Sequence, residues 1–211
     1  MKKIGVLASG RGSNFAALVE ACRREDFPAR VACLVSDRPE APALEEARRL
    51  GVPAFTVDPG PRRAGLTPQA EAEIVGILRK HGCDLVCLAG FMRILKKPLL
   101  EAFPGKILNI HPSLLPAFPG LDAQEQAWSY GVKVAGCTVH IVDRGVDTGP
   151  ILVQRAIPVD DVTSSDELAR RILEQEHRAY AEAVRMVATR RLRIEGRRIV
   201  AEEETRSESS P

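Results

Sequence analysis

The sequence predicts an α/β protein built on a doubly wound, mostly parallel sheet with an antiparallel C-terminal extension. Three observations carry this. Short apolar runs alternate with amphipathic stretches through the first half of the chain. A glycine-bearing turn, Gly10-Arg11-Gly12-Ser13-Asn14, directly follows the first apolar run. Beyond about Leu121 the alternation gives way to two long β-rich segments in succession. Strand and helix in strict turn place helices on both faces of a sheet, whose strands then read as continuous apolar runs.

Taken in order, Ile4 to Ala8, Val31 to Val35, Phe55 to Val57, Leu85 to Ala89 and Ile107 to Ile110 read as buried strands. Asn14 to Arg24, Ala43 to Leu50 and Gln69 to His81 between them carry helical spacing. A helix over Ala123 to Tyr130 precedes the β-rich Val134 to Val142 and Ile151 to Val159, which as a hairpin would extend the sheet. Ser164-Ser165-Asp166-Glu167 has the form of a capping box, with a long helix to follow to about Thr189. Leu192 to Ile194 and Ile199 to Ala201 suggest a closing hairpin, and Glu202 to Pro211 reads as a polar, disordered tail. The expected organisation is one domain over residues 1–201, with a tail over 202–211.

Composition narrows the function. With 211 residues, 45% hydrophobic and 27% charged, the chain can bury a full core. Its 30 basic and 28 acidic residues leave a net charge of +2, so no bulk field of either sign would hold nucleic acid or membrane. An anionic ligand must be met locally. The five cysteines form no CxxC pair and no zinc-like cluster, and they read as small core hydrophobes in a reducing cytoplasm. The apolar N-terminal run breaks at Ser9-Gly10 after a few residues, too soon for an export signal, and no stretch approaches the roughly 18 to 20 apolar residues of a membrane span. A cytoplasmic location is expected.

Three constellations can carry chemistry. The turn Gly10 to Asn14 opens a helix whose free amides and dipole suit a phosphate, although glycine in such a turn is as often steric. In Asn109-Ile110-His111-Pro112-Ser113-Leu114-Leu115-Pro116, strand alternation puts Asn109 and His111 on one face, where a carboxamide and an imidazole could polarise a carbonyl and move a proton. A lone histidine there reads more readily as buried and structural. Asp143-Arg144-Gly145-Val146-Asp147-Thr148-Gly149-Pro150 is either a plain turn or the source of a carboxylate that supports a His111 imidazolium. The chain has two asparagines, Asn14 and Asn109, and both fall at strand ends, where sheets of this kind bind ligands.

Taken together, Gly12-Ser13-Asn14, Ala89-Gly90-Phe91-Met92-Arg93-Ile94-Leu95, Asn109 to Pro116 and Val146-Asp147-Thr148-Gly149-Pro150 resemble, in order and spacing, the glycinamide ribonucleotide transformylase family of folate-dependent formyltransferases. The likeness runs from Lys3 to about the final hairpin. It implies a Rossmann-like formyltransferase fold and transfer of the formyl group of 10-formyltetrahydrofolate to the amine of glycinamide ribonucleotide, a step of purine biosynthesis. It also implies small-molecule substrates, no metal, no nucleic acid, no membrane, and a monomer or homodimer. Asn109 and protonated His111 would stabilise the developing oxyanion, and Asp147 would sustain the imidazolium and organise water for proton transfer. Gly12, Ser13 and Asn14 would hold the phosphate, Glu176 the ribose hydroxyls, and Met92, Arg93, Ile94, Leu95, Asp143, Arg144, Gly145 and Val146 would line the folate site. Residues 1–105 would then be mainly the ribonucleotide-phosphate half and 106–201 mainly the folate and catalytic half.

Two departures stand out. Leu121-Asp122-Ala123 takes the place where relatives often carry a histidine, so an auxiliary histidine role is not carried over. Of the two arginines offered for the phosphate, Arg62 and Arg63, Arg63 is preferred. Other users of 10-formyltetrahydrofolate share the Asn-x-His-x-Ser-Leu-Leu-Pro tract. A tRNA formyltransferase is disfavoured by Phe118-Pro119-Gly120 in place of arginine-glycine and by the lack of a second, tRNA-binding domain. A hydrolase is disfavoured by a chain that starts at the first strand. A nucleotide-binding regulator needs only the first turn and leaves Asn109, His111 and Asp147 unexplained. A nicotinamide-dependent dehydrogenase is disfavoured by the imperfect glycine motif, and its expected acidic ribose residue is ambiguous near Ser36-Asp37.

Overall fold

The computed structural model describes residues 1–61 and 64–201. Arg63 and the polar tail over 202–211 lie outside the described residues. In chain order the elements are β1 (Lys2–Leu7), α1 (Ser13–Cys22), β2 (Ala29–Ser36), α2 (Pro42–Arg49), β3 (Ala54–Thr56), α3 (Pro68–Lys80), β4 (Leu85–Leu88), α4 (Lys97–Ala102), β5 (Ile107–His111), α5 (Ala123–Tyr130), β6 (Val134–Ile141), β7 (Ile151–Pro158), α6 (Ser165–Thr189), β8 (Leu192–Glu195) and β9 (Arg198–Ala201). The sequence pattern missed α4, whose six residues are too short for a helical period to register.

Seven strands form one sheet in the order β3-β2-β1-β4-β5-β6-β7, while β8 and β9 make a separate hairpin. Strands β1 to β5 pair in parallel, and β6 and β7 add antiparallel to the β5 edge. The chain winds outward from β1 to β3, returns, and continues from β4 on the other side of β1. That reversal opens a crevice beyond the carboxyl ends of β1 and β4, where ligands of such sheets bind.

Alternation along each strand divides the core into two apolar layers. Ile4, Val6, Leu34, Leu85 and Cys87 face one way, with Phe15, Leu44, Ile172 and Tyr180 from the helices packed on them. Leu7, Cys33, Val35, Val86 and Leu88 face the other way, against Leu66, Ile74, Leu78 and Leu99. The period of two on a strand makes both layers from the same residues' neighbours. Helix α6 starts as the capping motif predicts, with the Glu167 amide donating to Ser164 Oγ at 3.2 Å. The Glu167 carboxylate reaches one residue further back than expected, accepting from the Thr163 amide at 2.9 Å and its hydroxyl at 2.8 Å. Among the described residues no helix is long and apolar enough to cross a membrane.

Candidate active site

The site grows from the end of β5. Asn109 and His111 are alternate residues of that strand, and in the antiparallel ladder with β6 the partner of Asn109 is His140. Directly opposed residues share a face, so the imidazole of His140 stands beside the carboxamide. The loop joining β6 to β7 then delivers Asp147 between them. Its Oδ2 accepts from the Gly120 amide at 2.8 Å and lies 3.3 Å from His111 Nδ1. Its Oδ1 accepts from Asn109 Nδ2 at 3.3 Å and lies 3.5 Å from His140 Nε2. The other nitrogen of His111, Nε2, is 2.8 Å from the carbonyl oxygen of Phe118. Each ring nitrogen of His111 thus faces an oxygen, and the ring can donate from both.

Burial pushes the Asp147 carboxyl upward, but the hydrogen bonds from His140 and the Gly120 amide, with the charges on His111 and His140, outweigh it and hold the group below its ordinary value. Asp147 is therefore an anion near neutral pH. Its backbone is strained, with φ at 54°. Among the described residues the non-glycine residues with positive φ are Phe118, Asp122 and Asp147. Two of them supply oxygens to His111, and the third begins α5 just after Gly120. Such strain costs of order 1 kcal/mol or more per residue and persists where surrounding bonds fix it.

A second cluster forms where the first turn meets α6. Gly12 caps α1 with φ at 81°, and no side chain caps that helix start or puts an acidic group in its first turn. A Cβ at Gly12 would fall 2.8 Å from the Cβ of Ala43, so α2 closes over the turn only because this residue is glycine. The side chain of Asn14 does not turn toward the helix-start amides. Its Nδ2 donates to Glu176 Oε2 at 2.6 Å, across 162 residues of sequence. Burial pushes the Glu176 carboxyl above its ordinary value, against the hydrogen bond from Asn14 and the nearby charge of Arg11. Asn14 Oδ1 is buried without a partner among the described residues. Predicted phosphate turn and predicted ribose carboxylate thus meet, with an unfilled acceptor beside them.

The residues expected to line the folate site divide by environment. Met92, Ile94 and Val146 expose their apolar side chains, as does Leu121, at the loops beyond the strand ends. Leu95 is buried and shares the apolar layer of Phe91 and Val142. Arg93 is not a solvated side chain: its Nε donates to Asp37 Oδ2 at 2.6 Å. Asp37 also accepts from Ser9 Oγ at 2.5 Å, and Ser9 Oγ accepts from the Met92 amide at 2.9 Å. Three strand ends are tied by this buried chain. Asp143 shapes its own loop, its Oδ1 accepting from the Gly145 amide at 2.9 Å and Thr148 Oγ1 at 2.7 Å. Arg144 and Gly145 are exposed beside it.

Sequence reasoning missed His140, Phe118 and Gly120. The chain has four histidines, and His140 lies in a segment already assigned to strand, so its type was a signal. Its place opposite Asn109 depends on a register that no short turn sets. The other two act through backbone atoms, which residue type does not reveal. Among the described residues no group of three or more His, Cys, Asp or Glu could hold a metal ion.

A Rossmann-like sheet whose parallel edge ends in a carboxamide, an imidazole and a half-buried carboxylate fits a group-transfer enzyme of carbonyl chemistry better than a dinucleotide reader. The chain belongs to the formyl transferase family, whose profile matches residues 2–184. It is 46% identical over 187 residues to the phosphoribosylglycinamide formyltransferase of Bacillus subtilis, covering 89% of this chain and 95% of that protein. Among solved structures it is similar to glycinamide ribonucleotide transformylase 1 from Symbiobacterium toebii, with a TM-score of 0.90 and 53% identity over 96% of this chain and 95% of that one. A formyltetrahydrofolate deformylase from Pseudomonas syringae shares the fold at a TM-score of 0.84 and 26% identity, over 96% of this chain and 66% of its own.

Proposed function

We propose that the protein transfers the formyl group of 10-formyltetrahydrofolate to the amine of glycinamide ribonucleotide, as a cytoplasmic purine-biosynthesis enzyme acting on small molecules alone, as a monomer or homodimer. The observation that carries the reading is the Asp147 carboxylate set between Asn109 and His111 at the strand end. The neutral amine attacks the formyl carbon, a C–N bond forms, and the carbonyl electron pair moves onto oxygen. An N–H of His111 stabilises that oxygen, and Asp147 sustains the charge the ring carries. The proton lost by the attacking nitrogen passes through water to the folate nitrogen as its bond to the formyl carbon breaks. No step requires a metal ion.

In this arrangement the Phe118 carbonyl occupies His111 Nε2 at 2.8 Å, so the formyl oxygen must replace one acceptor by another at that nitrogen. The free amides of α1 and the side chain of Ser13 hold the phosphate, while Glu176 and the unpartnered Asn14 Oδ1 receive the ribose hydroxyls. Exposed Met92, Ile94 and Val146 offer an apolar rim for a flat heterocycle, and main-chain groups of Arg93 to Leu95 and Asp143 to Asp147 give it polar partners. The dehydrogenase alternative loses its acidic ribose residue, because Asp37 is buried and held by Ser9 and Arg93. A spectroscopic assay with both substrates tests the proposal. Folate release that depends on the ribonucleotide supports it, and release at the same rate without acceptor refutes transfer in favour of hydrolysis.

A further inference from the structure

Two of the five cysteines meet in the fold, away from the crevice. Cys33 Sγ and Cys83 Sγ lie 3.8 Å apart, although 50 residues separate them in sequence. Cys33 belongs to β2 and Cys83 to the turn between α3 and β4, and β1 runs between those two strands. A glycine of β1 lets them approach. Gly5 pairs with Cys33 in the parallel ladder, and a Cβ built on it would fall 3.1 Å from Cys83 Sγ and 2.1 Å from Leu78 Cδ2. Any side chain at position 5 would take the space over β1 in which the sulfurs come together. The turn is pinned there: the Cys83 amide donates to the Leu78 carbonyl at 2.9 Å, the Asp84 amide donates to the Lys3 carbonyl at 2.8 Å, and the Lys3 amide donates to Asp84 Oδ2 at 2.8 Å.

The two thiols differ in access and in charge. Cys33 is fully buried in the apolar layer of Leu7, Val35 and Val86, whereas Cys83 is half-buried at its margin. The hydrogen bond shared with Cys83, and then burial, push the Cys33 thiol well above its ordinary value. For Cys83 the same hydrogen bond, joined by the charges of Lys3 and Arg30, pulls the thiol down against burial and the Asp84 carboxylate. The sulfur that solvent reaches is thus the one inclined to become a thiolate, and the sheltered one keeps its proton and donates it. Cys22 supplies the contrast: it too is half-buried, and burial pushes its thiol up to about 11.

We propose that Cys83 and Cys33 are a reversible redox pair: hydrogen peroxide oxidises Cys83, Cys33 closes the disulfide, and the bond fastens β2 to the turn that leads into β4. The Cys83 thiolate attacks one peroxide oxygen, the O–O bond breaks, and the departing oxygen takes up a proton and leaves as water. Cys83 then carries a sulfenic acid. The Cys33 sulfur attacks it, the S–O bond breaks, and the hydroxide leaves with the Cys33 proton as a second water. The dithiol has lost two electrons and two protons, and the peroxide has become two waters. A thiol reductant reverses the step, two of its thiols becoming a disulfide as the pair is restored. To bond, the sulfurs close from 3.8 Å to about 2 Å, across the gap left open by Gly5. Cys83 stands before the amino end of β4, whereas the crevice lies beyond the carboxyl ends, so the proposal is independent of the formyl-transfer reading.

Peroxide treatment of the folded, full-length protein, followed by thiol counting and peptide mass mapping, tests it. Oxidation should remove two of the five free thiols and join the peptides that carry Cys33 and Cys83, with the loss of two hydrogens. Cys83 should react at least roughly tenfold faster than Cys22, since the thiolate is the nucleophile and its population outweighs its lower intrinsic reactivity. The oxidised protein should melt at a higher temperature than the reduced one, because the bond constrains the unfolded chain, and a dithiol reductant should return both the thiols and the Tm. In Cys33→Ala, Cys83 should stop at the sulfenic acid, which a cyclic diketone captures. In Cys83→Ser, Cys33 should stay reduced under peroxide that fully oxidises the native pair. Native Cys83 that passes on to sulfinic acid while Cys33 stays free overturns the proposal, as does Cys22 reacting first. A lower Tm after oxidation overturns the bond as a fastener.

Discussion

Two carboxylates, half-buried Asp147 and buried Glu176, titrate in opposite directions. Asp147 is surrounded by donors: the Gly120 amide, the Asn109 carboxamide and two imidazoles. Their pull exceeds the cost of burial and lowers its proton affinity. Glu176 is more deeply buried and has fewer donors, so burial wins over the Asn14 carboxamide and the charge of Arg11, and its proton affinity rises. The contrast teaches what each group is built for. A carboxylate whose donors come from the protein is finished before substrate arrives, and its charge is available to an imidazolium. A carboxylate short of donors gains them from a ligand, as the two hydroxyls of a ribose would supply.

The largest expected effect breaks the first member of the pair. Asp147→Asn keeps the shape and loses the charge, and kcat should fall roughly 1000-fold, with folate affinity little changed, as pre-steady-state turnover and fluorescence titration would measure. Retained turnover would make Asp147 a turn residue and the contrast empty. Glu176→Gln breaks the other member. Ribonucleotide KM should rise roughly 10- to 100-fold, the cost of weakening hydrogen bonds to a charged group, with kcat less affected.

The phosphate turn sharpens the same end of the crevice. Gly12→Val is a poor probe, because φ at 81° and the 2.8 Å approach to Ala43 would strain the fold itself. Gly10 has nothing within 4 Å of a built Cβ. Gly10→Ala should therefore leave Tm unchanged and raise ribonucleotide KM about tenfold, a loss of about 1.4 kcal/mol of phosphate contact. Calorimetry of the folded variant checks both halves.

The smallest effect is on stability, and its sign differs between the two groups. Folded Glu176 keeps its proton to higher pH than the unfolded chain does, so its contribution declines as pH rises from about the ordinary 4.5 through the raised value. Glu176→Gln should accordingly raise Tm at neutral pH and gain less near pH 4.5. For Asp147 the folded value lies below the ordinary 3.8, so its contribution is complete above that pH and is lost as pH falls through the lowered value. Asp147→Asn should lower Tm at neutral pH, with the difference from the native protein narrowing in acid. Melting curves at several pH values decide it.

The fold was legible because its signals are local. Five apolar runs fell on the five parallel strands, and the Ser164 cap and Gly12 turn marked helix starts through side-chain and backbone chemistry of a few adjacent residues. Asn109 and His111 were legible for the same reason, being two residues apart on one strand. Asp147 and Glu176 needed the family resemblance, since a charge in a turn or on a helix is ordinarily solvated. His140 was out of reach: it is 31 residues from Asn109, and the ladder that joins them forms only when the β6 edge docks. The Arg93 side chain pairs with Asp37, a contact between two strand ends 56 residues apart that spacing does not reveal. Side-chain partners across a sheet are set by tertiary register, and composition carries no trace of it.

Helix α6 carries Glu176 and, one turn later, Tyr180, whose hydroxyl meets the carbonyl oxygens of Leu88 at 2.9 Å and Leu108 at 3.1 Å. Those carbonyls belong to adjacent strands, and Leu108 immediately precedes Asn109. The helix proposed to meet the ribose and the strand proposed to carry catalysis are thus joined by a buried phenol as well as by core packing. On the proposed assignments the scaffold would act as a caliper: it would set the span from the Gly12 turn to Asn109, and an acceptor would be judged by the distance between its phosphate and its amine. A longer or shorter acceptor would then fill either jaw without presenting its nitrogen at the reacting carbon.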